Sequence, residues 1–168
     1  MELLIVRHAL AGEKTEFAST GLPDSARPVT KEGRKAMRKA ARGLGRIVPE
    51  LGVILTSPLL RAVQTARVLS KFYRKTKLKK MGELAPGGDF QKLLAKLVKM
   101  KKRETIGLVG HEPFLTDFAG WLLTGKKRSF MELGKGGALL LEIKDPAREG
   151  GAVLKWSLGA KLLSKIKN

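Results

Sequence analysis

The chain has 168 residues, 43% of them hydrophobic, and a formal net charge of +19. That length suffices to bury one sizeable core and is short for two, so residues 1–168 are expected to form a single domain. With no cysteine at all, disulfides, thiolate zinc sites and a cysteine nucleophile are excluded.

The excess of lysine and arginine favours anionic partners, whether phosphorylated molecules, acidic protein surfaces or nucleic acid, without choosing among them. The cations gather in runs, Lys71–Lys80, Lys99–Arg103 and Gly125–Arg128, which read first as solvated faces. Aromatic residues are too sparse to build stacking platforms for single strands, so nucleic acid is a possible partner and not the favoured one. The longest apolar runs, such as LLIV near the start and ALLL at 138–141, fall far short of the roughly 20 residues a membrane span needs. Met1 leads directly into a short apolar run with no basic leader or small-residue cleavage site, which predicts a cytoplasmic protein.

In chain order, the apolar stretch Leu3 to Val6 reads as a strand, followed after a polar loop by a helix over Lys31 to Ile47. Met37, Ala40, Ala41, Leu44 and Val48 share one face of that helix, with most of its arginines elsewhere. A second strand, Val53 to Thr56, runs into Ser57-Pro58, where serine can cap a helix extending to about Tyr73. A short third strand is expected over Leu78 to Met81. Phe90, Leu93, Leu94, Leu97 and Val98 then repeat at helical spacing. Strand four is Ile106 to Val109, with a helix from Pro113 to Leu123. The strands Ala138 to Ile143 and Val153 to Leu158, joined by the turn-rich DPAREGG, are expected to pair antiparallel. Residues from Lys161 onward are expected to fray. Repeated strand–helix–strand units predict an α/β fold: a mostly parallel sheet with an antiparallel edge and helices on both faces.

In open α/β sheets ligands bind beyond the carboxyl ends of the strands. That edge collects Arg7 and His8 after strand one, Ser57 and Arg61 after strand two, Glu83 after strand three and His111 after strand four. Both histidines of the chain are among them. Phosphoryl transfer needs donors for the phosphate oxygens, an in-line nucleophile and a proton for the leaving oxygen. Arg7 and Arg61 offer planar forks that match phosphate, and Arg61 falls in the first turn of its helix. His8 can attack through a neutral ring nitrogen if the other nitrogen donates to a fixed acceptor. His111 can stabilise charge on the transferring group, and Glu83 can supply the proton and then activate water. Ser57 is accounted for as a helix cap and is also a candidate phosphate contact. Gln64, Thr65 and Trp121 are taken as packing or surface residues. With two histidines and few acids, a dinuclear metal centre has few ligands, so a reaction without metal or other cofactor is expected.

These residues resemble a known family. LLIVRHA, RPVTKEGR (Arg27 to Arg34), ILTSPLLRAVQTA (Ile54 to Ala66), GELAPGGD (Gly82 to Asp89) and LVGHEP (Leu108 to Pro113) are similar, in order and spacing, to the motifs of the histidine phosphatase superfamily. The SixA-like phosphohistidine phosphatases are the branch most resembled. The resemblance implies that His8 is the phosphorylated nucleophile and that Arg7, Arg61 and His111 form the phosphate pocket. It departs at Ala9, where the family usually has glycine, and it does not require Glu83, because SixA-like members need not use the proton donor of other branches. The short segment between strands three and four leaves room for one helix and no large lid, which suits a phosphate displayed on a protein.

The leading expectation is therefore removal of phosphate from phosphohistidine on a protein. A phosphatase for small phosphorylated metabolites would use the same pocket. From another class, a basic nucleic-acid-binding or regulatory protein that has lost catalysis would show affinity that falls steeply with salt and survives His8→Ala.

Overall fold

A computed structural model of the chain describes residues 1–100, 105–128 and 130–166. Most of the lysine run at 99–103 lies outside them. Six strands form one sheet: β1 (Glu2–Arg7), β2 (Val53–Thr56), β3 (Lys77–Lys80), β4 (Ile106–Gly110), β5 (Ala138–Ile143) and β6 (Ala152–Leu158). Their order is β3-β2-β4-β1-β5-β6. The pairs β3/β2, β2/β4 and β4/β1 are parallel, whereas β5 runs antiparallel to β1 and β6 antiparallel to β5. The expected α/β architecture with an antiparallel edge is thus the observed one.

Strand β1 shows how the sheet carries two cores. Its successive side chains point to opposite faces, so Leu4 and Val6 enter one cluster and Leu3 and Ile5 the other, all four fully buried. The first cluster is closed by α2 (Lys31–Ile47) and α3 (Leu60–Ser70), the second by α4 (Phe90–Val98) and α5 (Phe114–Thr124), with α1 (Lys14–Ala18) in the loop after β1. In α2 the Thr30 side chain accepts from Gly33 N at 2.9 Å, an N-cap that satisfies one orphan amide. The buried stripe Met37, Ala40, Ala41, Leu44 then faces the sheet. At Gly43 an added Cβ would lie 1.9 Å from the Leu163 carbonyl oxygen, so only glycine lets the C-terminal segment approach this closely.

That approach corrects the expected fraying for residues 161–166, while residues 167 and 168 lie outside the described ones. A last short helix, α6 (Ala160–Leu163), packs on α2 and buries Leu163 completely. A second correction concerns Ser57. The helix begins at Leu60 with Leu59 in the cap position, and it ends at Ser70, short of Tyr73. The Ser57 hydroxyl is drawn away by His111, and the Tyr73 hydroxyl donates to the Val48 carbonyl at 2.9 Å from a turn beyond the helix. Strand β3 sits one residue earlier than its expected bounds. No helix among the described residues is long and apolar enough to cross a membrane.

Candidate active site

The carboxyl ends of β1, β4 and β2 lie side by side, and backbone bonds continue past the strands: His8 N donates to Gly110 O at 3.0 Å and Ser57 N to Val109 O at 2.9 Å. This extension sets the two histidine rings next to each other, with centroids 5.1 Å apart and planes tilted by 54°. Both rings are buried, at 7% exposure for His8 and 3% for His111.

His8 Nδ1 lies 2.7 Å from the Ala9 carbonyl oxygen. A carbonyl only accepts, so Nδ1 carries the proton and Nε2 keeps its lone pair. Burial pushes the His8 imidazole down to about 4, against a raising effect from the Ala9 hydrogen bond, and the guanidiniums of Arg61, Arg7 and Arg27 depress it further. The ring is neutral at pH 7. The residue after it is also held: Ala9 N donates to Thr65 Oγ1 at 3.0 Å, and that hydroxyl donates to the Arg61 carbonyl at 2.7 Å. Thr65, expected to be packing or surface, ties the histidine turn to the arginine helix.

His111 Nε2 lies 2.8 Å from Ser57 Oγ, which also accepts from Leu59 N at 3.3 Å. The hydroxyl hydrogen can be donated to Nε2, and in that tautomer the ring proton sits on Nδ1. Burial, then Arg61 and His8, pushes this imidazole down to about 3, so it too is neutral at pH 7.

Arg7 donates from Nη1 to the Leu133 carbonyl at 2.7 Å. Arg61 donates from Nη1 to the Asp24 carbonyl at 2.9 Å and pairs with Asp24 Oδ2 at 3.1 Å, while Arg27 Nε pairs with Asp24 Oδ1 at 2.7 Å. The Arg27 hydrogen bond, chiefly, holds the Asp24 carboxyl below its ordinary value. Asp24 and Arg27 were not among the residues expected at the site. They lie in a loop far from any strand end in sequence, and only the short 3₁₀ turn Asp24–Ala26 brings them onto Arg61.

Among the described residues, four buried side-chain atoms lack a hydrogen-bond partner: Arg7 Nε, Arg61 Nε, His111 Nδ1 and Glu112 Oε1. All four belong to this strand edge. Three are donors, and leaving a buried donor unpaired costs about 1–3 kcal/mol, so a cluster of them marks a place built for an acceptor supplied from outside. A phosphoryl group, with its anionic oxygens, meets that demand.

The two acids differ sharply. Glu83 stands on the 3₁₀ turn Gly82–Leu84, and its carboxylate accepts from Lys96 Nζ on α4 at 2.6 Å, which holds it below the usual carboxylate range. Glu112, next to His111 and absent from the expected site, is half-buried; desolvation raises its carboxyl, while the Thr116 hydroxyl, 2.5 Å from Oε2, and the Arg7 charge oppose that rise. Its adjacency to His111 was the available signal. Among the described residues no histidine, aspartate and glutamate side chains cluster as a metal site.

Two arginines and two neutral histidines at the carboxyl ends of the parallel strands of a mixed sheet make an α/β protein with a cluster of donors for an anionic group. The model of the histidine phosphatase superfamily (branch 1) matches residues 3–114, and the chain belongs to that superfamily, as a phosphatase. An uncharacterized protein of Picosynechococcus sp. is 32% identical over 141 residues, 83% of each chain. Among solved structures, the protein histidine phosphatase SixA complexed with tungstate superposes with a TM-score of 0.83 at 22% identity, covering 97% of this chain and 99% of that one. A phosphoserine phosphatase mutant from Entamoeba histolytica in complex with phosphoserine gives a TM-score of 0.70 at 15% identity over 95% and 98% of the two chains.

Proposed function

We propose that the protein removes phosphate from phosphohistidine displayed on another protein, with His8 as nucleophile and without a metal. The observation that carries the mechanism is the 2.7 Å bond from His8 Nδ1 to the Ala9 carbonyl, which leaves Nε2 as the attacking atom. Nε2 bonds to phosphorus as the substrate's P–N bond breaks, and Arg7, Arg61 and the Nδ1–H of His111 hold the phosphoryl oxygens. Water then attacks phosphorus, the P–Nε2 bond breaks, and the water proton stays with the released phosphate. Ser57 acts through His111, orienting its ring.

The choice of substrate rests on Glu83. Ionised and paired with Lys96, it is a poor proton donor, which disfavours alcohols as leaving groups. An imidazole whose second nitrogen is already protonated leaves as a neutral molecule and needs no such acid. The structural likeness to SixA supports the same reading. A small phosphorylated metabolite is the second reading, supported by the likeness to the phosphoserine phosphatase. The test is phosphate release, in chelator, from a phosphohistidine protein and from an aryl phosphate, for wild type and His8→Ala. Chelator-resistant release that the substitution abolishes, faster on the phosphohistidine protein, is the expected result. Preference for the aryl phosphate would reverse the substrate assignment, and turnover by His8→Ala would remove His8 as nucleophile.

A further inference from the structure

The segment between α5 and β5 is joined to the site by its backbone. Leu133 O receives Arg7 Nη1, Gly137 O receives Arg7 N at 3.1 Å, and Gly136 N donates to His8 O at 3.2 Å. A buried Leu133 anchors it, yet Phe130, three residues earlier, is 67% exposed. Lys126, Lys127, Arg128 and Lys135 are exposed on the same segment, and none forms an ion pair among the described residues. Two further exposed apolar side chains, Leu10 and Leu22, lie two residues from His8 and from Asp24. Isolated surface apolar residues need no explanation, but these three belong to the three segments that frame one phosphate site.

We infer that residues 126–128 and 130–135 form the docking element for an acidic protein surface carrying the phosphohistidine, with Phe130 as its apolar anchor. This rests on the substrate reading above. An aromatic ring entering a pocket of the partner, rimmed by cations facing its carboxylates, combines a hot-spot anchor with electrostatic steering. Four cations against the single exposed acid of the segment, Glu132, select an acidic occupant.

The test uses the full chain, an acidic histidine phosphotransfer domain phosphorylated with phosphoramidate, free phosphohistidine and an aryl phosphate. The expected result is that Phe130→Ser lowers kcat/KM for the phosphorylated domain about tenfold, chiefly through KM, with aryl phosphate and free phosphohistidine within about twofold of wild type. The triple variant Lys126→Glu, Lys127→Glu, Arg128→Glu is expected to lower it further and to flatten its decline with salt. Equal loss on all three substrates would mean that the segment only positions Arg7. No loss on the domain, or loss of DNA oligomer binding alone, would overturn the docking role. A wild type that turns over aryl phosphate but neither phosphohistidine substrate would overturn the substrate reading itself.

Discussion

The face of the sheet covered by α4 and α5 and the carboxyl edge of the parallel strands treat burial in opposite ways. In the former, Phe118 is fully buried among Phe90, Phe114 and Trp121, with ring centroids 5.5 to 6.4 Å from it. Among the described residues, no buried side-chain polar atom of α4 or α5 lacks a partner. At the edge, four buried polar atoms go without partners. Stability accumulates where complementarity is complete within the chain, and capacity to bind accumulates where it is incomplete.

The sharpest way to break that contrast is to swap its consequences. Arg61→Met roughly keeps side-chain volume and removes the unpaired Nε donor together with the Nη1 bonds to the half-exposed Asp24, so kcat/KM should fall roughly 100- to 1000-fold while the melting temperature falls much less than a core variant's. A melting temperature that drops as far as a core variant's would show that Arg61 serves the fold. Phe118→Ala should do the reverse, costing about 3–5 kcal/mol in urea unfolding with little change in kcat for the fraction that remains folded. Smaller in effect, Ser57→Ala releases one orienting hydrogen bond on His111 and should slow turnover on the order of five- to tenfold. An unchanged rate would mean that the ring is positioned by packing alone.

The smallest effect is a titration. The chain has two histidines, so both imidazole signals can be followed by NMR. His8 should titrate near about 4 and His111 near about 3; a midpoint near 6.5 for either would place its ring in water. The unfolded chain binds these protons from about 6.5 downward while the folded one does not. Stability is therefore full above that value and is lost as pH falls through the window between about 6.5 and the folded pKa values. The urea midpoint should decline over that range.

Much of the candidate site was legible because strand ends are legible. Arg7, His8, Arg61 and His111 follow apolar runs whose period and length announce parallel strands, and such strands carry their reactive residues at one end. Asp24 and Arg27 were not, since no periodicity tells a loop where to lie. Ser57 was misplaced as a cap because its local signal, serine before proline, is real but weaker than a hydrogen bond to a histidine 54 residues away. Residues 162–166 lack a long amphipathic pattern, and what admits their close approach is Gly43 on another helix.

The amino-acid sequence by itself determined the element order, the two-faced sheet and the identity of the groups at its carboxyl edge, because hydrophobic period and turn chemistry are local properties. Tertiary structure alone decided which nitrogen of His8 is free, that Glu83 is paired with Lys96 while Glu112 is desolvated beside Arg7, and that the Leu133 carbonyl holds an arginine 126 residues away. Hydrogen-bond partners and burial are set by what folding brings within a few ångströms, and those distances are not written in the spacing of residues along the chain.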